Sequence, residues 1–459
     1  MDIATLLSKK PTASLIGFGR SNAALARFLT EKGLPLTLRD ARPLAALGAD
    51  AAELAALGVR FLTGDGYLDA LTEELLFLAP AVRPDLAPIL AARARGACIT
   101  SEMALFAALT PARLLGVTGS DGKTTTTTLA GLLLDGENGT RRCFVGGNIG
   151  QPLIARLAEM KVGDLAIAEL SSFQLMTPMQ APARAVITNL TENHLNWHTD
   201  MAEYEAAKWR IMGKGTEAVL YADDPRLIRH AHSYPCPTLF SLARTHGELR
   251  QNFPNCHTIT VYKGDICIDG AAVGRVSDIL LPGRHNLLNY MAALGLVHPY
   301  LADVPAAFLR VARSFRGVPH RLEFAGEIGG VRYFNSSIDS TPSRTAASVA
   351  ALGGSPIVLC GGADKGVSFA PLCEALAGRA KAVVLFGAAR GMIAEALSKS
   401  QLKIEIRVTM REALAAASRM AERGDSVLLS PACTSFDEFR DYEERGECFR
   451  RWIYEDNGG

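Results

Sequence analysis

The stretch Leu114-Leu-Gly-Val-Thr-Gly-Ser-Asp-Gly-Lys-Thr-Thr125 runs from a short apolar segment through a glycine-rich turn into a helical segment opened by lysine. Strand, glycine turn and helix in that order aim backbone N–H groups and a helix N-terminus at one point, which suits an anion. Gly119, Ser120, Asp121, Gly122, Lys123, Thr124 and Thr125 therefore read as a phosphate cradle. Lys123 supplies a point charge for β/γ oxygens, and the Thr124 hydroxyl is a ligand for Mg²⁺. The strict P-loop spacing is broken by Val117, so the loop is a variant of the form Gly-x-Thr-Gly-x-x-Gly-Lys-Thr-Thr. The threonines Thr124 to Thr128 are poor helix formers, and something other than propensity must hold them there.

The same alternation extends outward in both directions. Upstream, Ala13-Ser-Leu-Ile-Gly and Leu36-Thr-Leu flank the Ala/Leu-rich stretch Ala23 to Lys32; downstream, Asp164-Leu-Ala-Ile-Ala-Glu and Ala185-Val-Ile-Thr-Asn end in polar residues. After Phe315-Arg-Gly-Val-Pro-His-Arg come Ile357-Val-Leu-Cys, Ala382-Val-Val-Leu-Phe and Ser426-Val-Leu-Leu-Ser, with helical runs such as Glu412 to Arg423 between them. Strands alternating with amphipathic helices predict an α/β fold with parallel sheets. Three such blocks suit 459 residues at roughly 150 per domain. The expected domains are 1–100, 101–316 and 317–459. The stretch Ala231 to Arg275 gives no clear pattern, and no short-period repeat or heptad is present.

Lys+Arg at 48 against Asp+Glu at 47 leave a net charge of +1, with no surplus to displace counterions from nucleic acid. A hydrophobic fraction of 48% with ordinary glycine and proline usage excludes a disordered class. The 9 cysteines show neither C-x-x-C pairs nor a metal-ligand rhythm and read as reduced thiols. The acidic start at Asp2 lacks the basic region of a secretory signal. The apolar run Leu75 to Val82 is stopped by Arg83 and Asp85, short of the roughly 20 residues of a membrane span. A cytoplasmic protein without membrane insertion is expected.

Ligands of open α/β sheets bind beyond the carboxyl ends of strands. Glu169 closes an apolar strand there, where a carboxylate can serve a Mg²⁺ that also sees Thr124. His194 and His198 stand at i, i+4, a spacing that suggests zinc, but no third ligand or glutamate follows in the usual pattern. Gly17 and Gly19 supply two dinucleotide-fingerprint glycines, Asn22 replaces the third, and Asp40 closes the next strand. This incomplete fingerprint is weak support for a dehydrogenase. No Gly-x-Ser-x-Gly elbow is present, so no serine nucleophile is expected.

Together with Gly146-Gly-Asn-Ile-Gly, Thr188-Asn-Leu-Thr-Glu-Asn-His-Leu, Ala206-Ala-Lys, Gly283-Arg-His-Asn, Pro319-His-Arg-Leu-Glu and Gly361-Gly-Ala-Asp-Lys-Gly, the loop resembles the Mur ligase family. These are ATP-dependent amide-forming ligases of peptidoglycan precursor synthesis. Glu169-Leu-Ser-Ser-Phe-Gln-Leu and Ser430-Pro-Ala-Cys-Thr-Ser-Phe-Asp resemble the D-glutamate-adding branch. The resemblance spans essentially the whole chain. It implies an N-terminal Rossmann-like domain for a UDP moiety, a central P-loop ATPase-like parallel-sheet domain, and a C-terminal Rossmann-like α/β domain for the amino acid. It further implies ATP and Mg²⁺ as cofactors, with UDP-N-acetylmuramoyl-L-alanine and D-glutamate joined through an acyl phosphate. A monomer is expected.

Motif by motif, the resemblance implies catalytic roles for Lys123, His194 and Lys208 and a metal set of Thr124, Glu169, His194 and Lys208. Lys208 matches a lysine that the family carbamylates. A bare ammonium beside Mg²⁺ would be repelled, whereas a carbamate is an anion. Asn286 and Asn289 would read adenine, and Arg321 would reach the ATP phosphates by domain closure. Arg20, Ser21 and Arg42 would hold the UDP part, with Asn148, Ser171 and Gln174 on the rest of that substrate. Lys365, Ser435, Tyr442, Ser340 and Arg344 would bind D-glutamate.

Departures are few. Asn193 replaces the usual Asp before His194, and Ser336 and Ile338 stand where the family often has Asp and Lys, with Arg344 as the replacement charge. The Asp-Asn-Pro-Arg of the lysine- or diaminopimelate-adding relatives is absent. A folylpolyglutamate synthetase-like ligase would lack the N-terminal block. A nucleotide-binding regulator that lost its acceptor site would explain Ile338 and Ser336, but it would not need Lys123, Glu169, His194 and Lys208 together.

Overall fold

Largely apolar runs become strands that have a neighbour on each side. Ala13–Ile16, Leu75–Leu78 and Leu165–Glu169 are buried at every position, as parallel strands covered on both faces are. The computed structural model describes residues 3–136, 141–192, 194, 197–281, 283–364 and 366–455. Its strands form three sheets.

The first holds β1 (Ala13–Ile16), β2 (Leu36–Asp40), β3 (Arg60–Thr63), β4 (Leu75–Leu78) and β5 (Cys98–Thr100), all parallel in the order β3-β2-β1-β4-β5. The second begins with β6 (Arg113–Thr118), β7 (Cys143–Gly147), β8 (Leu165–Glu169), β9 (Arg184–Ile187) and β10 (Glu217–Tyr221). It continues with β11 (Thr238–Ser241), β12 (His257–Tyr262), β13 (Asp265–Ile268) and β14 (Ala271–Arg275). Its order is β14-β13-β12-β11-β10-β9-β6-β8-β7, parallel up to β12 and antiparallel beyond it. The third comprises β15 (Glu323–Ile328), β16 (Val331–Asn335), β17 (Ile357–Gly361), β18 (Ala382–Phe386), β19 (Lys403–Ile406) and β20 (Ser426–Ala432). Here the order is β15-β16-β20-β17-β18-β19, with only β15 antiparallel.

The chain divides into two compact units, 1–315 and 316–459. In the first, Leu15, Leu25 and Phe77 share one apolar cluster with Phe106, Phe144, Leu153 and Leu239, so the first two sheets are joined by a common core. In the second, Val331, Leu359, Phe386 and Phe449 cover one sheet face, and Val358, Leu372, Leu385 and Ile393 the other. No helix among the described residues is long and apolar enough to cross a membrane.

Candidate active site

Strand β6 lies between β8 and β9, where the chain changes its direction of travel across the sheet and leaves a crevice at the carboxyl ends. The glycine turn sits in that crevice, and the helix Lys123–Leu134 leaves from it. Gly119 and Gly122 have φ of +146° and +77°, and a Cβ on either would collide with Thr188 Oγ1 or Asn289 Oδ1. Only glycine fits there. The residues after β9 strap the turn: Ser120 N donates to Asn189 O at 3.0 Å, Asp121 N to Asn189 Oδ1 at 2.9 Å, and Thr188 Oγ1 to Asp121 O at 2.6 Å. Lys123 Nζ lies across the loop, donating to Gly119 O at 2.9 Å and Ser120 O at 2.8 Å. Two of the threonine hydroxyls are bound, Thr127 Oγ1 locally to Lys123 O at 2.9 Å and Thr126 Oγ1 to the distant Asn289 Oδ1 at 3.4 Å.

Parallel pairing sets Glu169 beside Val117. Glu169 is 2% exposed; Oε1 accepts from Asn148 Nδ2 at 2.9 Å, while the buried Oε2 has no hydrogen-bond partner among the described residues. An unsatisfied buried carboxylate oxygen is costly unless a cation meets it, so the carboxylate fits a metal ligand. Lys208, on the helix Met201–Trp209, is 1% exposed and its Nζ donates to Gly119 O at 2.6 Å. Burial, and then the nearby charge of Lys123, push this amine down to about 6. One turn earlier Tyr204 is fully buried; its hydroxyl donates to Ser120 Oγ at 2.9 Å, and its ring centre lies 4.6 Å from Lys208 Nζ. The His194 ring is 6.4 Å from that of Tyr204 and 4.9 Å from that of Phe173.

His198 is buried, with Nδ1 3.1 Å from Glu203 Oε2 and Nε2 2.9 Å from Ser172 Oγ, which makes it a packed structural residue. Among the described residues no three His, Cys, Asp or Glu side chains form a metal-binding group. Glu169 is the carboxylate around which a cation here would sit. Asn193 lies outside the described residues.

A cleft of about 260 Å³ separates the first sheet from the second, and brings Arg20 and Ser21 to face Asn148 and Gln174. Arg20 Nη1 bridges it to Gly150 O at 3.0 Å. Ser171 instead caps the short helix Ser172–Leu175, paired with Gln174. Arg42 forms a two-pronged pair with Asp40, whose carboxylate also accepts from Phe18 N at 2.7 Å. Asn22 Nδ2 donates to Gly17 O at 2.7 Å, closing the turn at the position of the missing fingerprint glycine.

In the second unit, Arg321 is flanked by His320 and Leu322 at φ +61° and +45°, a strained pair of the kind that persists at functional turns. His320 N and Asn335 Nδ2 both donate to Glu323 Oε2, at 2.9 and 3.0 Å. Ser336 is fully buried and its Oγ accepts from Leu322 N at 3.1 Å; Asp339, three residues on, takes hydroxyls from Ser348 at 2.6 Å and Ser430 at 2.8 Å. Arg344 folds back to Ile338 O at 3.3 Å, and Ser340 begins the same turn. Ser435 is 3% exposed, and Tyr442 opens the helix Tyr442–Glu455 with its ring 5.9 Å from that of His320. Lys365 lies outside the described residues. Sequence reasoning singled out no role for Thr188, Asn189 or Tyr204. The Tyr204–Lys208 spacing of i, i+4 was the available signal for the last.

The Mur ligase middle domain matches residues 117–297, and the Mur ligase glutamate ligase domain matches residues 320–433. The chain belongs to the Mur ligase family. This Mur ligase is 37% identical over 455 residues to the UDP-N-acetylmuramoylalanine–D-glutamate ligase of Clostridium botulinum strain 657, covering 97% of each chain. It is 39% identical over 449 residues to the protein of that name from Symbiobacterium thermophilum, covering 96% of this chain and 97% of the relative. Among solved structures it shares its fold with the UDP-N-acetylmuramate-alanine ligase of Thermotoga maritima, at a TM-score of 0.54 and 19% identity over 97% and 99% of the two chains.

Proposed function

We propose that this Mur ligase joins D-glutamate to UDP-N-acetylmuramoyl-L-alanine at the expense of ATP, as a monomeric cytoplasmic enzyme with functional domains 1–100, 101–316 and 317–459. The observation that carries this reading is the gathering of Lys123, Glu169 and the buried Lys208 around one phosphate-binding turn, in a chain alike over its whole length to relatives of that name. The cleft residues Arg20, Ser21, Asn148 and Gln174 take the UDP-linked substrate, with Ser171 and Arg42 bracing its walls. Asn148 touches both this cleft and Glu169, so the reactive carboxylate end is set toward the phosphate loop.

The alanine carboxylate attacks the γ-phosphorus of ATP, the bond to the bridging oxygen breaks, and ADP leaves with that electron pair. Lys123 turns from the loop carbonyls to the phosphate oxygens, while the loop amides hold the chain of phosphates. Thr124, Glu169, His194 and a carbamylated Lys208 would hold Mg²⁺, which would supply neutralising charge for the transferring phosphoryl group. Lys208 is suited to carbamylation because a neutral amine, favoured by its burial, is the form that adds to CO₂. The amine of D-glutamate then attacks the acyl phosphate carbonyl, an amide forms, and inorganic phosphate departs. Asn286, Asn289 and Arg321 serve ATP, and Ser340, Arg344, Lys365, Ser435 and Tyr442 serve D-glutamate.

Phosphate release by purified protein with ATP, Mg²⁺ and UDP-N-acetylmuramoyl-L-alanine, adding amino acids one at a time, tests the reading. Release only with D-glutamate is expected. Release with another amino acid would move the specificity, and none with any acceptor would overturn the ligase reading.

A further inference from the structure

The loop after β4 does more than wall the cleft. Ala79 and Pro80 line the cleft, and Arg83, just beyond them, reaches across to the second sheet's block. Its Nη2 lies 2.8 Å from Glu203 Oε1 and its Nη1 3.2 Å from Oε2. Nη1 also donates to Trp197 O at 2.6 Å, and the guanidinium lies 4.9 Å from the Trp197 ring centre. Trp197 returns the contact, its Nε1 donating to Ala81 O at 3.3 Å. Glu203 further accepts from Thr199 N at 2.9 Å and meets His198, which holds Ser172 beyond Glu169. Glu203 stands in the first turn of Met201–Trp209, immediately before Tyr204 and on the helix that carries Lys208.

Most exposed ion pairs contribute little. This one differs: the Arg83 side chain is only 20% exposed, it forms a two-pronged fork, and it stacks on an indole. Its pairing with Arg83 holds the Glu203 carboxylate down to about 2, so the contact persists across the working pH range.

We infer that Arg83 is a positioning residue that ties the cleft wall to the helix bearing Tyr204 and Lys208, so that a substrate filling the cleft sets the phosphate loop for transfer. The inference rests on the ligase reading above. None of the phosphate-site motifs contains Arg83.

Steady-state kinetics of Arg83→Met, Arg83→Lys, Glu203→Gln and the Arg83→Met/Glu203→Gln double variant test it, with unfolding temperature measured alongside. Arg83→Met is expected to lower kcat about ten- to a hundredfold with KM for ATP near wild type, since small misplacements remote from the chemistry act on turnover. Arg83→Lys should recover part of the loss, and the double variant should be no worse than the poorer single one, because Arg83→Met already removes the pair to Glu203, along with the one Arg83 makes to Asp85 at 2.7 and 2.9 Å. An unchanged kcat in Arg83→Met, additive losses in the double variant, or a loss accounted for by the unfolded fraction would overturn the inference. Should Arg83→Met fail to fold, wild-type kcat in both Arg83→Lys and Glu203→Gln would overturn it equally. A wild-type protein that releases no phosphate overturns the ligase reading and this inference with it, whereas an active wild type with an indifferent Arg83 overturns this inference alone.

Discussion

At the scale of the residue, the site is a small number of charges held by backbone. Lys123 already contacts the carbonyls of Gly119 and Ser120, so its ammonium is held where a phosphate arrives. Loss of one such donor costs on the order of 3 kcal/mol in a barrier, and Lys123→Ala is expected to lower turnover at least a hundredfold; near-normal phosphate release would refute its role. For Lys208, the alanine variant is expected to be inactive and to regain turnover when small carboxylic acids are added in place of the carbamate. Full activity without rescue, or inactivity that no acid relieves, would remove the carbamate from the mechanism. Tyr204→Phe keeps the buried ring and deletes only the bond to Ser120 Oγ. It should cost about 1 kcal/mol of stability by chemical denaturation and raise KM for ATP, and an unaltered KM would confine Tyr204 to packing. Lys123 and Glu169 were legible because the chemistry needs those side chains beside glycines or at strand ends, whereas Lys208, on a helix, was legible only through the family resemblance of Ala206-Ala-Lys. Tyr204 was not, because its function is to be buried against Ser120, and burial is a property of the fold.

At the scale of the element, the helix Glu102–Leu109 that follows the first sheet is buried along most of its length, Glu102 included. Its carboxyl has a backbone contact, with Ile154 N at 3.4 Å, and burial pushes it from the usual 4.5 up to about 7. Between those two values the unfolded chain releases a proton that the folded chain keeps, so stability falls as pH rises, by roughly 3 kcal/mol in total. Below the lower value both states are protonated and the penalty disappears. Glu102→Gln should therefore raise the denaturation midpoint at pH 8 and change it little at pH 4; equal shifts at both would show that the carboxyl is not held neutral. The elements legible from sequence were those buried on both faces, such as Leu165–Glu169, where an unbroken apolar run has one reading. Ala231 to Arg275 gave none because it forms the outer part of the second sheet, where β12 to β14 turn antiparallel and leave residues such as Tyr262 exposed. Apolar and polar positions mix there without a run long enough to stand out.

At the scale of the whole molecule, the two compact units have separate cores. Scanning calorimetry is expected to resolve two unfolding transitions, with a non-hydrolysable ATP analogue and Mg²⁺ raising the one that belongs to residues 1–315, since a ligand stabilises the unit that binds it. A single transition unaffected by nucleotide would contradict both the separation and the site. By itself the sequence determined the α/β alternation, the phosphate turn and the chemical groups around it, because these follow from local periodicity, from glycines that alone tolerate positive φ, and from charges at strand ends. Only the tertiary structure decided that the first two sheets share one core, that Asn189 and Thr188 strap the loop, that Glu169 keeps an unpartnered oxygen beside Asn148, and that Arg83 clasps Glu203. Each of those joins residues far apart along the chain, and such pairings come from how the helices and strands close over a common interior, which no local pattern encodes.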